Sequence, residues 1–203
     1  MNLAYQDVEA VFAARFAVAP ERAIAFRGRL QNLQRNGVPE GVNTGKGRRA
    51  SYGWTQLLQM SVALDFMEIG LTPDAASTMV LASRLQILSP FIVLGHLPIR
   101  IIKKTIVNEV TFDDAYFLFS NFNAISALGL QKGRPDFELT ARRGKDLIKS
   151  FSEFSPEEKL GSFIDISSRI NAVIRAVIAF TEYDLESLAT DLKEWANSVD
   201  INS

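Results

Sequence analysis

The stretch Gly41-Val-Asn-Thr-Gly-Lys-Gly-Arg-Arg-Ala-Ser-Tyr-Gly53 holds four glycines and three basic side chains, with no apolar periodicity. Each glycine costs a helix about 1 kcal/mol relative to alanine, so no helix is expected here. Val42 and Ala50–Tyr52 instead predict two short strands around an Asn43–Gly47 turn. Elements on both sides of this basic turn are punctuated clearly. Before it, Glu21–Asn36 sets Ala23, Phe26, Leu30 and Leu33 on one stripe, and Asn36-Gly-Val-Pro39 is a helix stop. After it, a helix is expected from Trp54 to about Ile69, with Leu57, Met60, Val62, Leu64 and Met67 apolar.

Further upstream, Val8, Val11, Phe12 and Phe16 share one face of a short helix over residues 6–16. Pro20 suits the first turn of the next helix, where its missing N–H has no partner to lose. Gly70-Leu-Thr-Pro-Asp74 reads as a stop and restart: Thr72 is an N-cap, Pro73 the first helical residue, and a fourth helix covers Ala75–Leu85.

Charge is distributed unevenly over this frame. The first sixty residues carry eight basic side chains (Arg15, Arg22, Arg27, Arg29, Arg35, Lys46, Arg48, Arg49) against four acids, hence +4. The whole chain carries −1, so residues 61–203 carry −5. Positive charge gathered on one helix and one loop of a near-neutral chain points to a polyanion, with double-stranded DNA the expected partner. On the helix, Arg27 and Gln31 are the candidates for base contact. Arg reads guanine and Gln reads adenine by bidentate hydrogen bonds in the major groove. Arg22, Arg29 and Arg35 are expected at phosphates, and Gln34 shares the polar arc. Lys46, Arg48 and Arg49 lie where glycines let the backbone approach a phosphate or the minor groove. The plainer alternatives are a solvated amphipathic helix and an ordinary loop. A nucleotide-binding loop ranks below both, because the Gly-x4-Gly-Lys-Ser/Thr pattern and its strand-then-helix context are missing.

Helix, turn, helix, basic Gly/Arg hairpin, then a helix running into Glu68-Ile-Gly-Leu-Thr-Pro73: this order resembles the MerR-like winged helix-turn-helix proteins. Val8–Phe16 matches their first helix, Pro20–Asn36 the recognition helix, Gly45–Tyr52 the wing and Leu57–Leu71 the helix that follows. Arg48-Arg49-Ala-Ser-Tyr52 is similar to the family's wing signature, which adds Tyr52 to the expected DNA-binding residues. The likeness covers the first third of the chain. It implies a DNA-binding regulator and leaves the effector open, since the family's metal sensors use cysteines and this chain has none.

Without cysteine, disulfides and zinc-thiolate sites are excluded. No catalytic constellation is visible, so neither an enzyme nor a cofactor is expected. His96 and the cluster Phe112, Tyr116, Phe117, Phe119 and Phe122 are read as packing residues, and Asp113-Asp114 as a helix N-cap. Residues 85–102 are apolar but broken by Ser89-Pro90, Gly95-His96, Pro98 and Arg100. They fall short of the roughly 20 apolar residues of a membrane span. No signal peptide is visible either, so a cytoplasmic, nucleoid-associated protein is expected.

The expected fold class is mainly α with a minor β component, in three parts. Residues 1–84 form the winged helix-turn-helix. Residues 85–145 form a middle region with strands at 91–94, 99–102, 105–110 and 116–120 and a loop from 129. Residues 146–203 form C-terminal helices, with a helix start at Ser155-Pro-Glu-Glu158. The apolar run Phe163–Phe180, edged with acids, is expected to pair two protomers into a homodimer through Ile174 and Val177. The whole is read as a sequence-specific transcriptional regulator. An architectural or mobile-element DNA-binding protein and a protein-interaction module are the alternatives.

Overall fold

A computed structural model describes residues 1–42, 50–107, 111–120, 139–153 and 162–199. Its architecture is mainly helical with one small antiparallel sheet, the expected fold class. The chain divides into two compact units, Met1–Glu109 with Arg169–Ser203, and Val110–Ser168. The expected divisions at 84/85 and 145/146 do not follow these units. The first falls between two helices of one unit, and of the expected C-terminal region residues 169–203 belong with the N-terminal helices while 146–168 belong to the other unit.

In the first unit, α1 (Tyr5–Arg15) and α2 (Ala23–Arg35) are joined through a single 3-10 turn at Pro20–Arg22. Val8, Val11 and Phe12 of α1 and Phe26, Leu30 and Leu33 of α2 are buried, as the two stripes require. Burying each such side chain is worth about 1.5–3 kcal/mol, so this pair of helices depends on its stripe and not on its polar surface. α3 (Trp54–Glu68) is buried along its whole middle, from Leu57 to Phe66, including Gln59, Ser61 and Asp65. A helix buried all round is the centre of its unit, and α4 (Pro73–Ala82) and α5 (Arg84–Gly95) pack against it. The Thr72 cap is as expected, its hydroxyl accepting from the Ala75 N–H at 3.2 Å.

α1, α2 and α3 end in the same way. Val18, Val38 and Leu71 each donate an N–H to a carbonyl five residues back, on Ala13, Leu33 and Phe66, at 2.9–3.0 Å. This closure needs a left-handed residue just before the donor. Gly37 (φ 86°) and Gly70 (φ 102°) supply it at no steric cost, whereas α1 uses Ala17 (φ 48°).

Beyond residue 84 the structure corrects the expected strands. Residues 91–94 lie in α5, and 99–102 with 105–107 lie in α6 (Ile99–Val107). Pro90 sits inside α5 instead of breaking it. Gly95 marks a close approach, because a Cβ there would meet the Ala196 side chain at 2.3 Å and the Leu192 carbonyl at 2.9 Å. Both partners belong to α9 (Leu185–Ser198), which also packs on α6. His96, expected to be packed, is exposed as the C-cap of α5. No single described helix is long and apolar enough to cross a membrane, and α4 and α5 meet at a 60° bend.

The second unit is a three-stranded sheet in the order β2-β1-β3, with β1 (Tyr116–Ser120) antiparallel to both β2 (Leu139–Arg143) and β3 (Ser162–Asp165). Leu118 pairs with Ala141 on one side and Ile164 on the other. α7 (Gly144–Glu153) follows β2 directly and packs on the sheet. The expected 116–120 strand is present, while 139–143 is a strand and not a loop. Asp113-Asp114 lies in the turn before β1 and so caps no helix; Thr111 bonds Asp114 there at 3.2 Å. Phe119 is buried, as expected, and packs on the exposed Phe163, but Phe112 is half exposed beside Phe117. Phe122, the residues 129–138 of the expected loop and the Ser155–Glu158 helix start lie outside the described residues.

α8 (Ile166–Phe180) starts a residue after β3, so the run Phe163–Phe180 is strand then helix. Val173, Ile174 and Val177 are each about 1 % exposed within the chain itself. The stripe expected to face a second protomer is therefore already covered.

Candidate nucleic-acid interface

Two features of the first unit set the geometry of this surface: the way α2 is held and the way the described residues on either side of the basic segment 43–49 are held. The turn residues Lys46, Arg48 and Arg49 lie outside the described residues, but both ends of the segment are described. On the far side, Tyr52 exchanges two backbone hydrogen bonds of 3.0 Å with Leu3. On the near side, the wholly buried Gln59 binds Glu40 twice, accepting from its N–H at 2.9 Å and donating to its carboxylate at 2.5 Å. Gln56 joins the two ends, accepting from the Gly53 N–H at 3.0 Å and donating to the Glu40 carbonyl at 3.1 Å. Gln56 and Gln59 carry no charge and match no motif. Their signal in the sequence is two amides three apart on one face of a helix right after a glycine-rich turn.

Tyr52 requires a correction. It is fully buried, its ring lies 6.4 Å from that of Tyr5, and the Gln34 side-chain amide donates to its hydroxyl. Burial pushes the phenol up to about 12, with the electrostatic influence of Tyr5 adding to it. Tyr52 is not presented to a ligand; its bond with the half-buried Gln34 ties α2 to the chain just before α3.

Arg27 is also placed differently from expectation. Its Nε and Nη2 grip both carboxylate oxygens of Glu9 on α1 at 2.9–3.0 Å, and this bonding raises the already high guanidinium value. It therefore lies on the flank facing α1 and not opposite the buried stripe. Arg22, Arg29, Gln31 and Arg35 are exposed, and the three arginines make no ion pair among the described residues. Of the ten residues expected at the interface, these four offer free polar groups, Arg27 offers a neutralised one, Gln34 is half-buried and bound to the buried Tyr52, and three are not described.

The second correction to a purely surface reading lies below α1. Arg15, the fifth basic residue of the helical pair, does not face solvent. Its Nη2 contacts both oxygens of Asp65 on α3 at 2.6 and 2.7 Å, and the two side chains are 2 % and 5 % exposed. A cavity of about 340 Å³ has Phe16, Val18, Phe26 and Met67 on its wall, with Arg22, Arg29 and Glu68 among its lining residues. No group of carboxylates or His that could hold a metal occurs among the described residues.

Comparison with known proteins found no matching family model, no similar curated protein and no similar solved structure.

Proposed function

We propose that this chain is a sequence-specific DNA-binding transcriptional regulator, with α2 in the major groove and the basic Lys46–Arg49 turn on the phosphate backbone. The observation that carries the reading is the exposed side of α2. Gln31 and Arg35 lie together on the exposed side of α2, and Arg22, just before its start, and Arg29, on the flank next to the buried stripe, are also exposed, the three arginines making no ion pair among the described residues. An α-helix fits the major groove, and unpaired guanidinium groups on its edges lose little when they exchange water for phosphate. The resemblance to MerR-like proteins supports the same order of parts. Action as a homodimer belongs to the proposal, since two modules give two half-sites, but the pairing surface is other than the Ile174–Val177 stripe. A cytoplasmic, nucleoid-associated location follows from the same reading, and neither catalysis nor a cofactor enters it.

The test is selection of bound duplexes from a random pool, followed by affinity measured against salt on a selected and a scrambled duplex. Tight binding to the selected duplex, falling steeply with salt, is the expected result. Equal and weak affinity for both duplexes defeats sequence-specific recognition.

A further inference from the structure

The centre of the outward side of α2 is not basic. Ile24, Gly28 and Gln31, spaced four and three apart, form one line along it that ends at Arg35, while Arg22 and Arg29 lie to one side, near the buried stripe. Ile24 is 84 % exposed, more than any other large hydrophobic side chain described. Gly28, one turn further on, has nothing within 4 Å of the position its Cβ would occupy.

Both choices are costly and neither serves the fold. A glycine inside a helix is less favourable than alanine by about 1 kcal/mol, and here no neighbour forbids the methyl group. An isoleucine in water buries nothing and has lower helix propensity than alanine. An apolar side chain and a missing side chain, one turn apart in a setting of unpaired arginines, describe a partner that is anionic at its edges and apolar at one point of its floor. The major groove has that character: phosphates line its rims and the thymine C5-methyl projects from its base edges. A wholly apolar protein groove complementary to Ile24 would leave Arg22, Arg29 and Arg35 to be desolvated without matching anions.

Resting on the proposed DNA-binding function, we propose that Ile24 packs on a thymine methyl while Gly28 lets the helix backbone approach the groove floor, so that the half-site holds a thymine near the start of α2 and an adenine read by Gln31. Ile24 and Gln31 are seven residues apart, about 10 Å along a helix at 1.5 Å per residue. That distance corresponds to roughly two to three base pairs at 3.4 Å per step.

The experiment uses the full chain and a duplex selected from a random pool. Each thymine is replaced singly by deoxyuridine, which removes only the methyl group. The expected result is one thymine per half-site whose replacement weakens binding about three- to tenfold, two to three base pairs from an adenine, with no further loss when Ile24 is already alanine. Gly28→Ala should raise the unfolding temperature, yet weaken the selected duplex about tenfold or more, because the methyl holds the backbone away. Ile24→Ala is at an exposed position and is expected to fold, so its readout remains valid. A specific footprint that is indifferent to every thymine methyl, or a sensitivity that survives in Ile24→Ala, overturns this assignment and leaves DNA binding intact. Failure to enrich any duplex overturns both together.

Discussion

Arg15 and Asp65 join α1 to α3 through an ion pair that is almost wholly removed from water, with both contacts made by one guanidinium nitrogen at 2.6 and 2.7 Å. The Arg15 guanidinium also lies 4.3 Å from the centre of the Phe16 ring. Its Nε and Nη1 are buried without a hydrogen-bond partner among the described residues, so Asp65 is its principal compensation. Arg169 stands 3.8 Å from the same carboxylate but is largely exposed. Burial drives the two groups in opposite directions, the Arg15 value down and the Asp65 value up, against the attraction between them.

The first prediction follows from that geometry. Breaking a buried pair strands the surviving charge, which typically costs about 3–5 kcal/mol, while replacing both partners with apolar groups is often neutral. Asp65→Asn should therefore lower the unfolding free energy by several kcal/mol, and Arg15→Met with Asp65→Leu should restore most of it. Denaturant unfolding of the single and double variants decides the matter; a single variant within about 1 kcal/mol of wild type means the pair behaves as a surface pair.

A second prediction concerns the end of α1. Ala17 adopts φ 48° where α2 and α3 use glycine in the same closure. A left-handed conformation costs a residue with a Cβ about 1–2 kcal/mol, part of which is offset by glycine's greater freedom in the unfolded chain. Ala17→Gly should stabilise the chain by about 0.5–1 kcal/mol, seen as a rise of roughly 1–4 °C in Tm. A fall in Tm would mean the turn does not hold that conformation in solution.

Tyr52 gives a prediction in pH. Its phenol, pushed up to about 12 in the folded chain, ionises near the ordinary value of 10 once unfolded. The folded state then binds more protons between those two values, so stability is full below pH 10 and declines as pH rises towards 12. Ultraviolet titration of the folded protein should show a late phenolate step that disappears in Tyr52→Phe. That variant should also lose the tie to Gln34 while keeping the buried ring.

How far these features could be read from the sequence depends on whether periodicity and punctuation agree. Up to Ala82 they do: Pro20, Gly37, Gly70 and Thr72-Pro73 all stand at or beside real helix ends, and the stripes of α1 and α2 are the ones that are buried. Past Arg84 they conflict. Pro90 and Gly95 cut α5 and α6 into short β-branched runs that look like strands, yet Pro90 is inside a helix and Gly95 marks where α9 comes close. That role depends on Ala196, about a hundred residues away, which no local window contains. The same holds for the sheet, whose central strand pairs with Leu139–Arg143 and Ser162–Asp165. In the candidate interface, the residue types were legible but their partners were not. Nothing in the spacing of Glu9, Arg15 or Tyr52 reveals that the first neutralises Arg27, the second is buried, and the third is a foundation and not a contact.

The Glu9–Arg27 pair leads to the last prediction, which separates three kinds of contact on one surface. While Arg27 stays bound to Glu9 it contributes no net charge towards a phosphate, and its Nε and one of its Nη2 donors are already occupied. Removing Glu9 by Glu9→Gln should therefore tighten binding to a selected and a scrambled duplex alike, and steepen the salt dependence by up to about 0.9 for one released phosphate contact. Arg27→Ala should do the opposite, weakening both duplexes equally, because it leaves the Glu9 carboxylate facing the polyanion. The pair Glu9→Gln with Arg27→Gln should return close to wild type. Gln31→Ala, lacking any charge effect, should cost about 1–3 kcal/mol on the selected duplex and little on the scrambled one. Arg48→Ala with Arg49→Ala should weaken both and flatten the salt slope by about 0.9 for each phosphate no longer neutralised. Anisotropy titrations of these variants on the two duplexes at several salt concentrations give the whole comparison. A loss confined to the selected duplex for Arg27→Ala would show that Arg27 leaves Glu9 on binding and reads a base, and the flank of α2 would then have to be counted as part of the reading surface.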